Sequence, residues 1–207
     1  MSCKSNFSAT SAAAPAAAAI FSLALEARPD LTWRDIQHLC VETARFPQDE
    51  FAVDQLVKGR KYNPKVGFGV LDAAAFVEKA KTWTLVKPQV WMELPYVQFD
   101  EGAVDDQKKV TGGKQLVGGD TVEEVVTITE TMVRAANFDK IEHIQVRVWV
   151  EHQRRGDIEV TIFNPKRVMC VLATNRPRDD DTSGLMGWTF TTVKHWYVLV
   201  RFTYSVG

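Results

Sequence analysis

The segment ATSAAAPAAAA, Ala9 to Ala19, decides how the first third of the chain is read. It places one threonine–serine pair and one proline in a run of alanines. Three structures compete for it: a flexible linker, the apolar part of a secretion signal, and a helix that starts at a serine. Alanine is the strongest helix former, and good helix formers continue to Ala27, so the composition predicts a helix over Ser11–Ala27. Pro15 falls in the expected first turn, where a missing N–H costs little. Pro29 and Asp30 stop the helix. A secretion signal would use Lys4, the stretch from Ala12 to Leu25, and Ala-Leu-Glu-Ala at Ala24–Ala27 as its charged, apolar and cleavage regions. Alanine is a weak hydrophobe, and Pro15 interrupts that stretch. A spanning helix needs ~20 strongly apolar residues, which argues against a membrane segment here.

Two more helices follow. In DLTWRDIQHLCVETA, Thr32 is placed to cap a helix and Asp35 stands three residues on, as in a capping box. Ile36, Leu39, Cys40 and Thr43 then share one face at helical spacing. His38 lies off that stripe and reads as a partly exposed structural histidine rather than a ligand. In VGFGVLDAAAFVEKAKTW, Asp72 caps a third helix. Gly67 and Gly69 precede it, too short a glycine pattern for a nucleotide site and better suited to close backbone approach.

The character changes at Val86–Pro95, punctuated by Pro88 and Pro95. Residues 100–120, acidic and glycine-rich, read as a loop. Beyond it, EHIQVRVWVEH alternates Ile144, Val146, Val148 and Val150 with Gln145, Arg147, Trp149 and Glu151, the period of a half-buried strand. GDIEVTIF repeats it with Ile158, Val160 and Ile162, and WTFTTV and WYVLVRF read as further strands. Short strands between turns predict a β-sandwich. Two domains are therefore expected, a helical one at 1–87 and an all-β one at 88–207.

Composition narrows the function classes. The 207 residues carry a formal net charge of -1, which offers no overall attraction to nucleic acid or to anionic membranes. Cys3, Cys40 and Cys170 are widely spaced and form neither a metal-ligand pattern nor a disulfide framework. His38, His143, His152 and His195 are scattered, with no HExxH.

The residues resemble the kexin and furin family of subtilisin-like proprotein convertases. TSAAAP is similar to that family's nucleophile motif, Gly-Thr-Ser-Ala-x-Ala-Pro. The likeness continues through LALEARPDLTWRDIQHL and KYNPKVGFGVLDAAAFVEKAKTW. IEHIQVRVWVEHQRRGDIEVTIFNP and RPRDDDTSGLMGWTFTTVKHW resemble the family's P domain. The likeness covers roughly Cys3 to Trp196. It implies an α+β chain: the helical C-terminal remnant of a subtilisin-like α/β peptidase domain, then a jelly-roll-like β-sandwich. By resemblance Ser11 is the catalytic nucleophile, and its backbone N–H contributes to the oxyanion hole. The resemblance also implies calcium (Ca2+) as a cofactor, with ligands that cannot be assigned to residues here. It implies proprotein substrates with dibasic sites, and the late secretory pathway (Golgi) or a membrane-associated full-length protein.

The family's catalytic Asp and His and its oxyanion Asn come before the serine. Only ten residues precede Ser11 in this sequence, so those three groups are expected on a missing upstream half, and the chain alone is expected to be inactive. A fragment of a serine endopeptidase is one reading, and a non-catalytic P-domain module that stabilises or binds another polypeptide is the other. Phe7, Ser8 and Ala9 replace the family's His-x-Gly or His-Gly-Gly. If the Ala9 position requires φ > 0, alanine costs about 1 kcal/mol. Cys3 matches a family cysteine whose partner lies upstream. Asn164–Val168 replaces a Ser-Pro-x-Gly-Thr-like turn, and the family's Gly-x-Trp ending is absent after Trp196, which leaves an open sheet edge as an expectation. Arg154-Arg155 and Lys166-Arg167 are dibasic pairs, expected to be solvated strand-end charges. Arg155-Gly156-Asp157 spells an adhesion tripeptide but resembles a P-domain turn. Asp179, Asp180 and Asp181 are expected in a solvated loop rather than around calcium, which spaces its ligands about the ion.

Overall fold

The computed structural model describes residues 10–47, 50, 52–53, 55–57, 59–138, 140–164, 167–195 and 201–206; the side chains of 55–57 and 201–206 are left aside. The chain forms two compact units, Met1–Pro88 and Gln89–Gly207.

In the first unit, helix α1 spans Thr10–Ala27 and α2 spans Trp33–Thr43. Strands β1 (Gln55–Val57) and β2 (Arg60–Tyr62) pair as an antiparallel hairpin, and α3 spans Ala73–Lys81. Each helix boundary has a local cause. The Arg28 N–H bonds the Ala24 carbonyl at 2.8 Å, and Pro29 cannot continue the ladder. Thr32 and Asp35 form the expected capping box on α2. Asp72 accepts the Ala75 N–H at 3.0 Å to cap α3. Lys79 and Lys81 sit in the last turn of α3, where the helix dipole favours cations.

The helices close on Ala24, Leu31, Leu39, Phe76 and Ala80, all buried, with Phe21 against Phe76 at 5.5 Å between ring centroids. In α2 the buried set is wider than the expected stripe: Asp35, His38 and Val41 join Leu39. His38 is thus buried rather than partly exposed, 6.3 Å from the Trp83 ring. The helix is enclosed on more than one side, so apolar spacing alone understates its buried face. In α1 only Ala24 is buried, and Leu23 and Leu25 stand exposed. By length and composition alone this helix could cross a membrane, a test that a protein's core helix or a signal sequence also passes.

Gly69 explains the glycine pair. Arg45 and Val70 exchange backbone hydrogen bonds of 2.9 and 3.0 Å across a β-bridge, and Gly69 has φ 132° beside it. A Cβ there would lie 2.5 Å from the Arg45 carbonyl oxygen. Gly69→Ala is therefore expected to destabilise the chain by about 2–4 kcal/mol, through backbone strain and collision together. Urea unfolding would reveal it, and an unchanged midpoint would contradict the tight approach.

The second unit opens with a short antiparallel ladder, β3 (Ala103–Val104) and β4 (Val110–Thr111), inside the segment expected to be pure loop. Then come β5 (Val122–Thr127), α4 (Glu130–Ala135), β6 (Ile144–Val150), a 3₁₀ turn at Arg155–Asp157, β7 (Val160–Phe163), β8 (Met169–Ala173), β9 (Leu185–Thr192) and β10 (Arg201–Val206). Helix α4 breaks the expected run of strands because Thr129 caps it, accepting the Met132 N–H at 3.2 Å.

One antiparallel sheet has the order β5-β10-β7-β8, and β6 pairs with β9 in a second. The expected period-two arms are present, although Ile158 precedes β7 instead of joining it. Val122, Val148, Ile158, Val160, Ala173 and Leu185, contributed by or beside strands of both sheets, make one core. Ile141, Ile162 and Cys170 make a second. The last strand corrects a further expectation: β10 is not an open edge but lies between β5 and β7. Register, not a terminal motif, places it there. The first half of the expected WYVLVRF strand, 196–200, lies outside the described residues.

Candidate active site

Ser11 is the second residue of α1 and is exposed. Its position follows from the alanines around it, which favour the helix without filling space. The first four N–H groups of a helix have no acceptor within it, and those of α1 lie beside the serine. No acidic residue occupies the first turn to neutralise the positive helix end. Pro15 lies inside the helix, in the second turn rather than the first. Having no N–H, it cannot bond the Ser11 carbonyl four residues back, which loosens the helix at the residue of interest.

A serine hydroxyl in this setting is a weak nucleophile with anion-stabilising donors nearby, and it needs a base. Among the described residues none is hydrogen-bonded to the Ser11 side chain. His38 is turned into the helical core. His143, His152 and His195 belong to the second unit. Cys3 and the Phe7-Ser8-Ala9 departure lie outside the described residues.

The other highlighted charges form a different arrangement. Arg155 donates through Nε and Nη2 to the two oxygens of Asp179, at 2.9 and 2.8 Å. Arg176 adds a 3.2 Å bond to the same carboxylate. Arg154 bonds Asp180 at 2.8 Å, and Asp181 accepts the Ser183 N–H at 2.8 Å. The loop is solvated as expected, with Asp180 and Asp181 exposed, but its charges are paired: Arg155 and Asp179 are half-buried together, and Arg154 meets Asp180 across 26 residues. Arg167 of the second pair pairs with Glu123 at 2.8 Å, and Lys166 lies outside the described residues.

The Arg155 bonds, more than any other interaction, hold Asp179 down at about 2. These carboxylates do not fit calcium: they face guanidiniums and hydroxyls. Among the described residues no group of three or more His, Cys, Asp or Glu is arranged to hold a metal. The Arg155-Gly156-Asp157 tripeptide does not present itself as a ligand either, since Gly156 is buried and Arg155 is bound internally.

Two titrating groups need the folded environment to be understood. Burial pushes the Cys40 thiol up to about 11, so it is protonated and unreactive at neutral pH. Burial first, and Lys194 second, push His195 down to about 4. The folded chain keeps His195 neutral where the unfolded chain would charge it. The corresponding stability is intact above the ordinary histidine value of 6.5 and is lost as pH falls from there towards about 4. The unfolding free energy should therefore fall across that window by an amount on the order of 3 kcal/mol, read as a lower thermal midpoint. His195→Phe should flatten the profile, and a profile of unchanged slope would contradict this assignment.

Comparison with known proteins places both units. Residues 2–69 match the subtilase family, and residues 141–204 match the family described as proprotein convertase P-domain. The dibasic-processing endoprotease of Schizosaccharomyces pombe is 38% identical over 94% of this chain and 27% of its own length. Kexin of Saccharomyces cerevisiae is 36% identical over 94% of the chain and 23% of its length. Neuroendocrine convertase 2 of Homo sapiens is 36% identical over 99% of the chain and 31% of its length. The chain thus spans about a quarter to a third of these curated relatives. In structure, a serine protease of Aeromonas sobria superposes with a TM-score of 0.68 at 18% identity, over 97% of this chain and 37% of that one, a likeness of fold.

Proposed function

Because the chain belongs with the kexin-type, subtilisin-like proprotein convertases, we propose that it supplies the serine-bearing end of the peptidase domain and the P domain of an endopeptidase that processes proproteins after paired basic residues. The peptidase part is 1–87 and the P domain 88–207. The observation that carries this reading is Ser11 in the first turn of α1, within the residues that match the subtilase family.

In the proposed reaction the Ser11 hydroxyl attacks the scissile carbonyl carbon. A histidine from the upstream half of the domain takes its proton, and a carboxylate orients that histidine. The Ser11 N–H donates to the developing oxyanion. Small side chains at Ala12, Ala13 and Ala14 let neighbouring main chain approach the helix closely. The exposed apolar surface of α1, including Leu23 and Leu25, gives the upstream half a surface to cover. Calcium enters only at the level of the family, since the described carboxylates do not assemble a site for it. Processing in the late secretory pathway, at the Golgi, fits substrates of this kind.

The test is reconstitution. The chain, fused or co-expressed with the upstream half of a related convertase, should cleave a fluorogenic Lys-Arg peptide and label at Ser11 with a phosphonate probe. Labelling with Ala9→Gly but not with Ala9 would trace the defect to the turn before the serine. No labelling in either form would reject Ser11 as nucleophile. A second reading, a non-catalytic P-domain module, is favoured by one observation: the sandwich has its own core and carries β10 inside a sheet. An upstream coding sequence without the Asp and His would favour it.

A further inference from the structure

The turn at Arg155–Asp157 follows a pair of arginines, and the fold occupies every group of that pair which a peptidase would need. Arg154 donates to Asp180 at 2.8 Å, to the Pro177 carbonyl at 2.5 Å and to Asp157 at 3.3 Å. Arg155 forks onto Asp179, approaches Asp181 at 3.4 Å and lies 5.1 Å over the Trp188 ring. The main chain is engaged as well. The Arg155 N–H bonds the Asp181 carbonyl at 2.7 Å, and the Gly156 N–H bonds the Asp179 carbonyl at 3.0 Å. The Arg155 carbonyl accepts from Arg176 Nη2 at 2.9 Å, and the Gly156 carbonyl accepts the Arg176 N–H at 2.7 Å.

We propose that Arg154-Arg155 is a concealed processing site, at which a dibasic-specific endopeptidase cuts the Arg155–Gly156 bond once the loop at 176–184 leaves the turn. A peptidase that reads two arginines must offer carboxylates to both guanidiniums, because charge-assisted, forked bonds are what distinguish arginine. In the closed turn Asp179 and Asp180 already fill that role. Such an enzyme also binds its substrate extended, and Arg155–Asp157 is a tight 3₁₀ turn. Gly156 is buried, and a Cβ on it would collide with the Arg176 and Asp179 carbonyls, so the loop lies directly on the bond to be cut. The hydrolysis needs only water: its hydroxyl joins the Arg155 carbonyl carbon and its proton joins the Gly156 nitrogen.

The loop is built to open before the sandwich unfolds. Side chains from 177 to 183 are polar or exposed and add nothing to the apolar core, so polar contacts alone hold it. Segments held in this way open locally at lower cost than global unfolding. Asp179 stays ionised down to about 2, so mild acidification does not release it. The inference concerns the chain as substrate and does not depend on Ser11 acting as nucleophile.

The experiment exposes the full chain to purified Saccharomyces cerevisiae kexin at neutral pH and reads intact mass and the new terminus at Gly156. Asp179→Asn is expected to be cut at this bond at least tenfold faster than the unchanged chain. Adding Arg154→Gln should return the rate to the unchanged level. Should Asp179→Asn unfold the sandwich, the unchanged chain in graded urea supplies the second measurement, with cleavage at Arg155–Gly156 expected below the global unfolding transition. The proposal is overturned if the unchanged chain is cut there as fast as the variant. Cleavage confined to the global transition would also overturn it, as would no cleavage at this bond even in fully unfolded chain.

Discussion

Ser11→Ala, made in the chain reconstituted with an upstream convertase half, is expected to lower kcat by roughly 10⁴–10⁶ while KM stays within about threefold. In the proposed reaction the hydroxyl makes the bond that forms, and no neighbouring group in α1 replaces it, since the residues that follow are alanines and a proline. The backbone N–H groups at the helix start survive the substitution, so substrate and oxyanion binding persist. The same view expects the 207-residue chain by itself to show no Ser11-dependent turnover of a Lys-Arg substrate, because none of the described residues is hydrogen-bonded to the Ser11 side chain. Turnover by the isolated chain that vanishes in Ser11→Ala would sink this account of the site. Full activity of reconstituted Ser11→Ala would do the same from the other side.

Asp35→Ala is expected to cost roughly 3–5 kcal/mol, more than any other single change considered in the helical unit. This buried carboxylate accepts four hydrogen bonds. Oδ2 takes the Thr32 N–H at 2.8 Å and the Thr32 hydroxyl at 2.5 Å. Oδ1 takes the Trp83 Nε1–H at 2.9 Å and the Val86 N–H at 2.8 Å. One residue therefore caps α2 and ties down the chain beyond α3. Removal leaves several donors inside the fold with no acceptor, and each costs about 1–3 kcal/mol.

Burial alone would raise the carboxyl; the bonds from Thr32, Val86 and Trp83 outweigh it and bring it below the ordinary 3.8. Its contribution is thus present above that value and lost as pH falls through the lowered one. Urea unfolding followed by Trp fluorescence would measure the loss, and acid titration should show the substituted chain insensitive in that range. A cost under about 1 kcal/mol would mean that water or a rearranged loop replaces the carboxylate.

Much of the helical unit was legible because its determinants are local. Thr32 with Asp35, Asp72 before Ala73, and Pro29 after Ala27 each act within one turn of helix, and each does in the fold what its spacing implied. Pro15, the sixth residue of α1, falls in its second turn rather than in the first, where the sequence reading put it. In the second unit, alternation announced the arm at Ile144–Val150, but it missed β5 and β8. VEEVVT carries acidic residues and an exposed Val125, and MCVLA is apolar throughout, so neither shows a two-residue period. The sequence also pointed to Ser11, through a motif rather than through periodicity, since a helix of alanines gives no sign of which end matters.

By itself, then, the sequence determined the three helices of the first unit, the alternating strands, the change of character near Pro88 and the serine at a helix start. All of these are set by neighbours a few residues apart. Only the tertiary structure decided that His38 is buried, that β10 lies inside a sheet and that Asp35 reaches Val86, 51 residues on. It alone joined Arg155 to Asp179 across 24 residues and turned an apparently solvated dibasic pair into an occupied one. The physical reason is common to these cases. A buried charge or an unpaired strand edge must find a partner, and the chain's closure decides which of many chemically equivalent aspartates or strands that partner is.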